Sequence, residues 1–436
     1  MNIEPRHPTF AEAFRFWLKL GFISFGGPTG QIAILHTELV EKRRWIGEQR
    51  FLHALNYCMM LPGPEATQLA TYAGWLLHRT WGGIVAGTLF VLPSAIILWA
   101  LSFLYVTYGN VKWIAAVFEG LKPAVLAIIA AAVLRLGKRA LQNEVSWVFA
   151  GLAFTGLFFF KLPFPIIVLV AGVAGLIGGR YWKEKFVLSA SRAVAGAPTS
   201  VLRDDAAAPA HTKPSLARAV RVSLVCLALW WAPVLALGAW LGFDHVLVKQ
   251  GLFFSKAAMV TFGGAYAVLP YVSQQAVEQY GWLTAGQMLD GLGLAETTPG
   301  PLIMVLQFVG FLGGWRLHEP LSPLAAGTLG AFITTWTTFV PCFLWIFLGA
   351  PHVEQLRGNA KLNAALSAIT ATIVGVILNL AVWFGVHVLF PSGGPVNWFG
   401  VAVCLVAFAG MVRWKWDIVP VVLGAGALGA LHRLVF

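Results

Sequence analysis

Residues 61–68 read LPGPEATQ and residues 298–305 read TPGPLIMV, so a proline–glycine–proline break stands twice inside long apolar stretches. Proline lacks a backbone N–H and glycine loosens a helix, so each string should interrupt the helix that carries it. The two lie 237 residues apart. At the same shift, without a gap, FGG at 25–27 meets FGG at 262–264. Phe16, Lys19, Val40, Glu41, Trp45, Leu52 and Leu55 likewise meet identical residues at 253, 256, 277, 278, 282, 289 and 292. Matching at one fixed period marks an internal duplication.

The surrounding chain is built for a bilayer. Of its 436 residues 58% are hydrophobic and only 11% charged, against roughly 25% charged in a soluble domain. About thirteen apolar runs recur from Phe10 onward, most with the roughly 20 residues a spanning helix needs. They do not alternate, which excludes a β-barrel. The fold class is therefore an all-α integral membrane protein. The polar, acid-bearing start MNIEPRHPTF is not a removable signal peptide. Cys58, Cys226, Cys342 and Cys404 stand singly in apolar segments and read as small core residues, with no metal spacing. The net charge of +12 resides in short loops, which argues topology rather than nucleic-acid binding.

Residues 181–219 are polar and Ala/Ser/Pro-rich, a linker between a first repeat at 1–180 and a second at 244–436. Six apolar segments fall in each repeat, near 10–35, 51–78, 81–107, 113–136, 146–160 and 163–180, then 246–271, 286–314, 321–349, 361–390, 395–411 and 417–435. One more transmembrane helix, 220–243, connects them, so the second repeat enters from the opposite side and the repeats have inverted topology. Charge agrees: the loop at 36–50 carries Lys42, Arg43, Arg44 and Arg50, whereas its mate at 273–287 has neither Lys nor Arg. The N-terminus and linker are then cytoplasmic, with Arg180, Lys183, Lys185, Arg192, Arg203, Lys213, Arg218 and Arg221. So are Arg135, Lys138 and Arg139, Arg357 and Lys361, and Arg413 and Lys415. A full crossing by 10–35 would put one basic cluster outside; re-entrant hairpins broken at FGG and PGP, with arms of about 10 to 15 residues, remove the conflict. Fully crossing kinked helices remain the alternative.

Broken helices in a membrane must satisfy their freed backbone groups in protein or a wet cavity, so they line sites, and their N-termini favour anions. In GGPTGQ, Gly26, Gly27 and Gly30 allow close approach, Pro28 opens an arm, and Thr29 and Gln31 supply side-chain hydrogen bonds. Pro62, Gly63, Pro64, Thr67 and Gln68 repeat that logic, as do Gly263, Gly264, Thr298, Pro299, Gly300 and Pro301 in the second half. Tight packing or turn formation would explain the same strings without a ligand. Lys19 and Lys256, each six residues before its FGG phenylalanine, either hold a dianion or snorkel to the interface. Glu65 aligns with Leu302 and Glu296 with Met59, so each half has one acid near PGP, on different sides of it. Both are candidates for proton coupling, or else ordinary helix-end and partnered acids. Asn56, Tyr57 and His36 stand beside the breaks with weaker claims.

GGPTGQIAILHTELVEKRRWI together with LPGPEATQ closely resembles the chromate ion transporter family, and TFGGAYAVLP with TTPGPLIMVLQFVGF is similar to that family's second domain. The resemblance covers nearly the whole chain except the linker and identifies a long-chain, two-domain form. It implies a secondary transporter that exports chromate, a tetrahedral dianion like sulfate, across the bacterial inner membrane. The drive implied is a proton gradient or anion exchange, and the outcome chromate resistance. No cofactor is implied; the partners are chromate, protons and the lipid bilayer, with sulfate as co-substrate or competitor and a homodimer left open. Gly26, Gly27, Pro28, Gly30, Gln31, Arg43, Arg44, Trp45, Pro62, Gly63, Pro64, Glu65 and Gln68 match the family's first-half pattern, the Arg43–Trp45 loop being cytoplasmic. Gly263, Gly264, Pro299, Gly300 and Pro301 match the second, where Ala265 and Leu302 depart from it.

An intramembrane enzyme is disfavoured, since no HExxH, GxSxG or paired intramembrane aspartates occur. A channel or transporter for sulfate or another anion is the remaining alternative.

Overall fold

The computed structural model describes residues 6–109, 111–181, 200–202, 214–352, 360–391 and 394–435. Among them the protein is all-α, with no strand beyond an isolated bridge between Ile46 and Leu202. The first half runs α1 Phe10–Ile23, α2 Gly27–His36, α3 Glu48–Met60, α4 Glu65–Tyr108, α5 Lys112–Ala140, α6 Glu144–Phe158 and α7 Phe164–Tyr181, α4 being two helices joined at a kink where His78 (φ −134°, ψ 35°) and Arg79 (φ 53°, ψ −151°) leave helical geometry. Helix α8, Leu216–Leu241, follows, capped by the Ser215 hydroxyl. The second half holds α9 Val246–Val260, α10 Ala265–Ser273, α11 Ala285–Thr297, α12 Val305–Arg316, α13 Pro323–Gly349, α14 Ala360–Leu389, α15 Trp398–Arg413 and α16 Ile418–Val435. Among the described residues, seven helices (α4, α5, α7, α8, α13, α14 and α16) are long and apolar enough to cross a membrane. The chain is an integral membrane protein.

The apolar runs at 10–35, 51–78, 246–271 and 286–314 do not become single long helices, because each is cut at FGG or PGP. The arms α1, α2 and α3 have 14, 10 and 13 residues, and α9, α10 and α11 have 15, 9 and 13. Of the basic residues expected on the cytoplasmic face, Lys183, Lys185, Arg192, Arg203, Lys213 and Arg357 lie outside the described residues, as do the side chains of Lys361 and Thr29.

The duplication extends to backbone detail that spacing does not reveal. Thr37–Lys42 and Gln274–Gln279 are both π-helical turns, and they align residue for residue at the 237 shift. Behind them the Trp45 N–H donates to the Leu39 carbonyl at 2.8 Å, and the Trp282 N–H to the Ala276 carbonyl at 2.8 Å. In the first half alone, a piece of linker docks on this loop. The N–H groups of Val201 and Leu202 donate to the carbonyls of Arg44 and Trp45 at 2.9 and 3.1 Å, and Gly47 returns a bond to Leu202 at 3.0 Å.

The halves interlock. Helix α5 packs on α15 and α16, and α14 packs on α6 and α7, so each half's long helix lies against the other half's final hairpin. Small residues let the backbones touch, as membrane helices require. A Cβ on Gly120 would stand 2.0 Å from the Ala425 carbonyl oxygen, and one on Gly375 2.0 Å from that of Ala150.

Candidate functional site

The site grows from the way α1 and α9 end. Ser24 and Thr261 leave the helix at nearly the same geometry, φ −82°, ψ 82° and φ −79°, ψ 87°. Each therefore turns a free carbonyl toward the opposite half. The Gly300 N–H donates to Ser24 O at 2.7 Å, and the Gly63 N–H donates to Thr261 O at 2.7 Å. Ser24 aligns with Thr261 and Gly63 with Gly300, so the same bond is made twice with the halves exchanged. The Gln31 amide adds a bond to the Gly300 carbonyl. The breaks thus pair FGG of each half with PGP of the other, and Gly264, whose Cβ would lie 3.5 Å from Pro28 Cγ, joins the two pairs into one centre.

Helix ends gathered there lack side-chain caps. Gly26, Pro64, Gly264 and Pro301 precede α2, α4, α10 and the short turn Leu302–Met304, and none caps its helix through a side chain. Thr9, Asn143, Thr284 and Ser322, at helix starts elsewhere, do cap theirs, while Gly47 and Val111 before α3 and α5 do not. Uncapped N-termini present donor groups and a positive dipole end, the arrangement an oxyanion takes. Thr67 and Gln68, in the first turn of α4, are fully buried. Gln68 Nε2 donates to the Pro62 carbonyl at 2.8 Å. Gln68 Oε1, Thr67 Oγ1 and Ser94 Oγ are buried without a hydrogen-bond partner, a cost that a ligand or water would relieve. Ser94 belongs to the same centre, since a Cβ on Gly300 would lie 2.6 Å from its Cβ.

Two buried acids flank the centre. Glu65 opens α4, and Glu296, near the end of α11, accepts a 2.5 Å hydrogen bond from the Tyr266 hydroxyl. The field of Arg139 reaches Glu65 and that of Arg135 reaches Glu296, so a single helix, α5, brings cations toward both.

Other expected residues make contacts of their own. Lys19 and Lys256 are on the exposed faces of α1 and α9, Lys19 beside exposed Leu18 and Phe22, and Asn56 is exposed on α3. Tyr57 donates to the Trp345 carbonyl at 3.0 Å, and Thr298 Oγ1 to that of Ala295 at 3.0 Å. His36 bonds Glu48 at 2.8 Å.

Arg43 lies 4.5 Å over the Phe16 ring and pairs with Glu38, which also accepts from Lys42 at 2.8 Å. Burial pushes the Glu38 carboxyl up, but the Lys42 hydrogen bond and the charges of Arg43 and Lys42 outweigh it and hold it below the ordinary 4.5. The stability so gained is present at neutral pH and is lost as pH falls through that lowered value. Glu38→Gln should melt roughly 2 °C lower than the parent at pH 7, with the gap closing in acid; thermal unfolding across pH checks this.

The Chromate transporter family matches residues 11–176 and 248–430. A chromate transport protein of Pseudomonas aeruginosa is 32% identical over 98% of this chain and 93% of its own length. The chain belongs to the chromate transporter family. A probable chromate transport protein of Synechococcus elongatus is 28% identical over 87% of this chain and 86% of its own length. A chromate transport protein of Cupriavidus metallidurans is 28% identical over 96% of this chain and 92% of its own length. No solved structure matches. The two family matches contain all four breaks of this chromate transporter family member. Tyr266 and Ser94 are missing from the sequence reading, since neither belongs to a break.

Proposed function

We propose that this chain exports chromate from the bacterial cytoplasm across the inner membrane as a secondary transporter, driven by the proton gradient or by anion exchange. The observation that carries the proposal is the reciprocal pair of bonds, Gly63 to Thr261 and Gly300 to Ser24, which gathers four broken helices into one centre. Uncapped helix N-termini and the unpartnered hydroxyls of Thr67 and Ser94 then offer donors to a tetrahedral dianion in place of its water. Residues 1–180 and 244–436 act as inverted repeats, with the N-terminus and linker cytoplasmic. The lone Glu65 and Glu296 carry protons, and Arg135 and Arg139 draw the dianion inward. The same donors suit sulfate, so sulfate is the second reading.

Purified protein in proteoliposomes should move chromate uphill when a pH gradient is imposed, and sulfate should compete. No chromate flux under any gradient or counter-anion would overturn the proposal. Sulfate flux without chromate flux would establish the second reading.

A further inference from the structure

Helix α11 carries another buried acid that the site above does not use. Asp290 is 4% exposed. Its Oδ2 accepts from the Tyr105 hydroxyl of α4 at 2.8 Å, while Oδ1 has no hydrogen-bond partner. Lys122 of α5 stands with Nζ 3.7 Å from that same Oδ1, outside hydrogen-bond reach, and its side chain is 29% exposed. A static buried ion pair is stable only when its geometry is closed and its remaining donors and acceptors are satisfied. Here Oδ1 has a cation at ion-pair distance but no closed hydrogen bond, and the lysine beside it is part-exposed.

Position along the helices separates Asp290 from the central acids. It precedes Glu296 by six residues, about 9 Å along α11. Lys122 precedes Arg135 by thirteen residues, about 20 Å along α5. The two acids of α11 are therefore accompanied by cations from different levels of α5, Lys122 toward its start and Arg135 toward its end. Helices α4, α5, α12, α14 and α16 and the turn Leu302–Met304 pack on α11. Among the described residues, the titratable groups they bring to Asp290 are Tyr105 and Lys122. At the 237 shift its counterpart is His53, also titratable.

We propose that Asp290 is a second proton-carrying residue of transport, entered past Lys122 from the face where α5 begins, with Lys122 as its exchangeable counter-charge. This rests on the reading of the chain as a proton-coupled transporter. A proton from water on that face forms an O–H bond on Oδ1, cancels the carboxylate charge and leaves Lys122 an unpaired cation. When that O–H bond breaks, the proton passes to water on the other side and the pair re-forms.

The test uses the full chain in proteoliposomes with two measurements. Chromate counterflow at equal pH needs no net proton movement; chromate accumulation under an imposed pH gradient does. Asp290→Asn should keep counterflow within about threefold of the parent and lose gradient-driven accumulation at least about tenfold. Lys122→Met removes the opposing charge, favours the protonated acid, and should move the pH profile of driven accumulation to higher pH. Parental driven accumulation in Asp290→Asn overturns the proposal. Should Asp290→Asn lose both activities, Lys122→Met decides, and an unshifted pH profile there overturns it. A parent with robust counterflow but no response to the pH gradient removes the proton reading itself, and this proposal with it.

Discussion

Gly300→Ala is expected to lose chromate flux almost completely and to destabilise the protein by about 2 to 6 kcal/mol, the sum of backbone strain and overpacking. Gly300 has φ +104°, and an added Cβ would lie 2.6 Å from Ser94 Cβ and 3.1 Å from its hydroxyl. Relief would have to come from the backbone of the very residue whose N–H donates to Ser24 and whose carbonyl accepts from Gln31. Gly63→Ala should behave the same way. Its φ is +121°, and its Cβ would meet Gln68 Nε2 at 2.9 Å and Cys342 Sγ at 3.0 Å. Gly242 is the control: φ is +89° there too, but the space is open, so Gly242→Ala should cost only about 1 kcal/mol and leave flux intact. Thermal unfolding in detergent and flux in proteoliposomes measure both halves of the prediction. Parental flux in Gly63→Ala and Gly300→Ala would place the site away from the breaks.

Glu65→Gln should abolish the response of chromate transport to a pH gradient, a loss of at least about tenfold, while the protein still folds and inserts. Glutamine keeps the shape and fixes the neutral state, so it cannot take up and release a proton. Glu65 sits at the uncapped start of α4, one turn before Gln68, where a carboxylate and an arriving dianion compete for the same positive helix end. Glu296 is tied to the Tyr266 hydroxyl, so Glu296→Gln should give a smaller, graded change and Tyr266→Phe should shift its pH profile. Equal, pH-insensitive transport by the parent and Glu65→Gln would remove Glu65 from the proton pathway.

How much of this was legible in the sequence follows from the range of each interaction. Proline and glycine act on their own helix, so the four breaks were readable from LPGPEATQ, TPGPLIMV and the two FGG strings. Duplication was readable because identical residues recur at one shift. Their convergence was not, since the bonds from Gly63 to Thr261 and from Gly300 to Ser24 join distant parts of the chain. Spacing placed Lys19 and Lys256 two turns from the breaks but could not fix the rotation of α1 and α9, which leaves both lysines exposed. Tyr105, Lys122 and Asp290 obey no periodicity; three helices of two halves bring them together.

The packing of α5 on α15 and α16, and of α14 on α6 and α7, bears on how such a transporter can rock. Gly120 and Gly375 hold those contacts at backbone distance, too close for one surface to slide past the other. Whatever moves must carry a long helix of one repeat together with the terminal hairpin of the other. On the transport reading proposed above, the units that move together would then pair helices of different repeats rather than follow the repeat boundary.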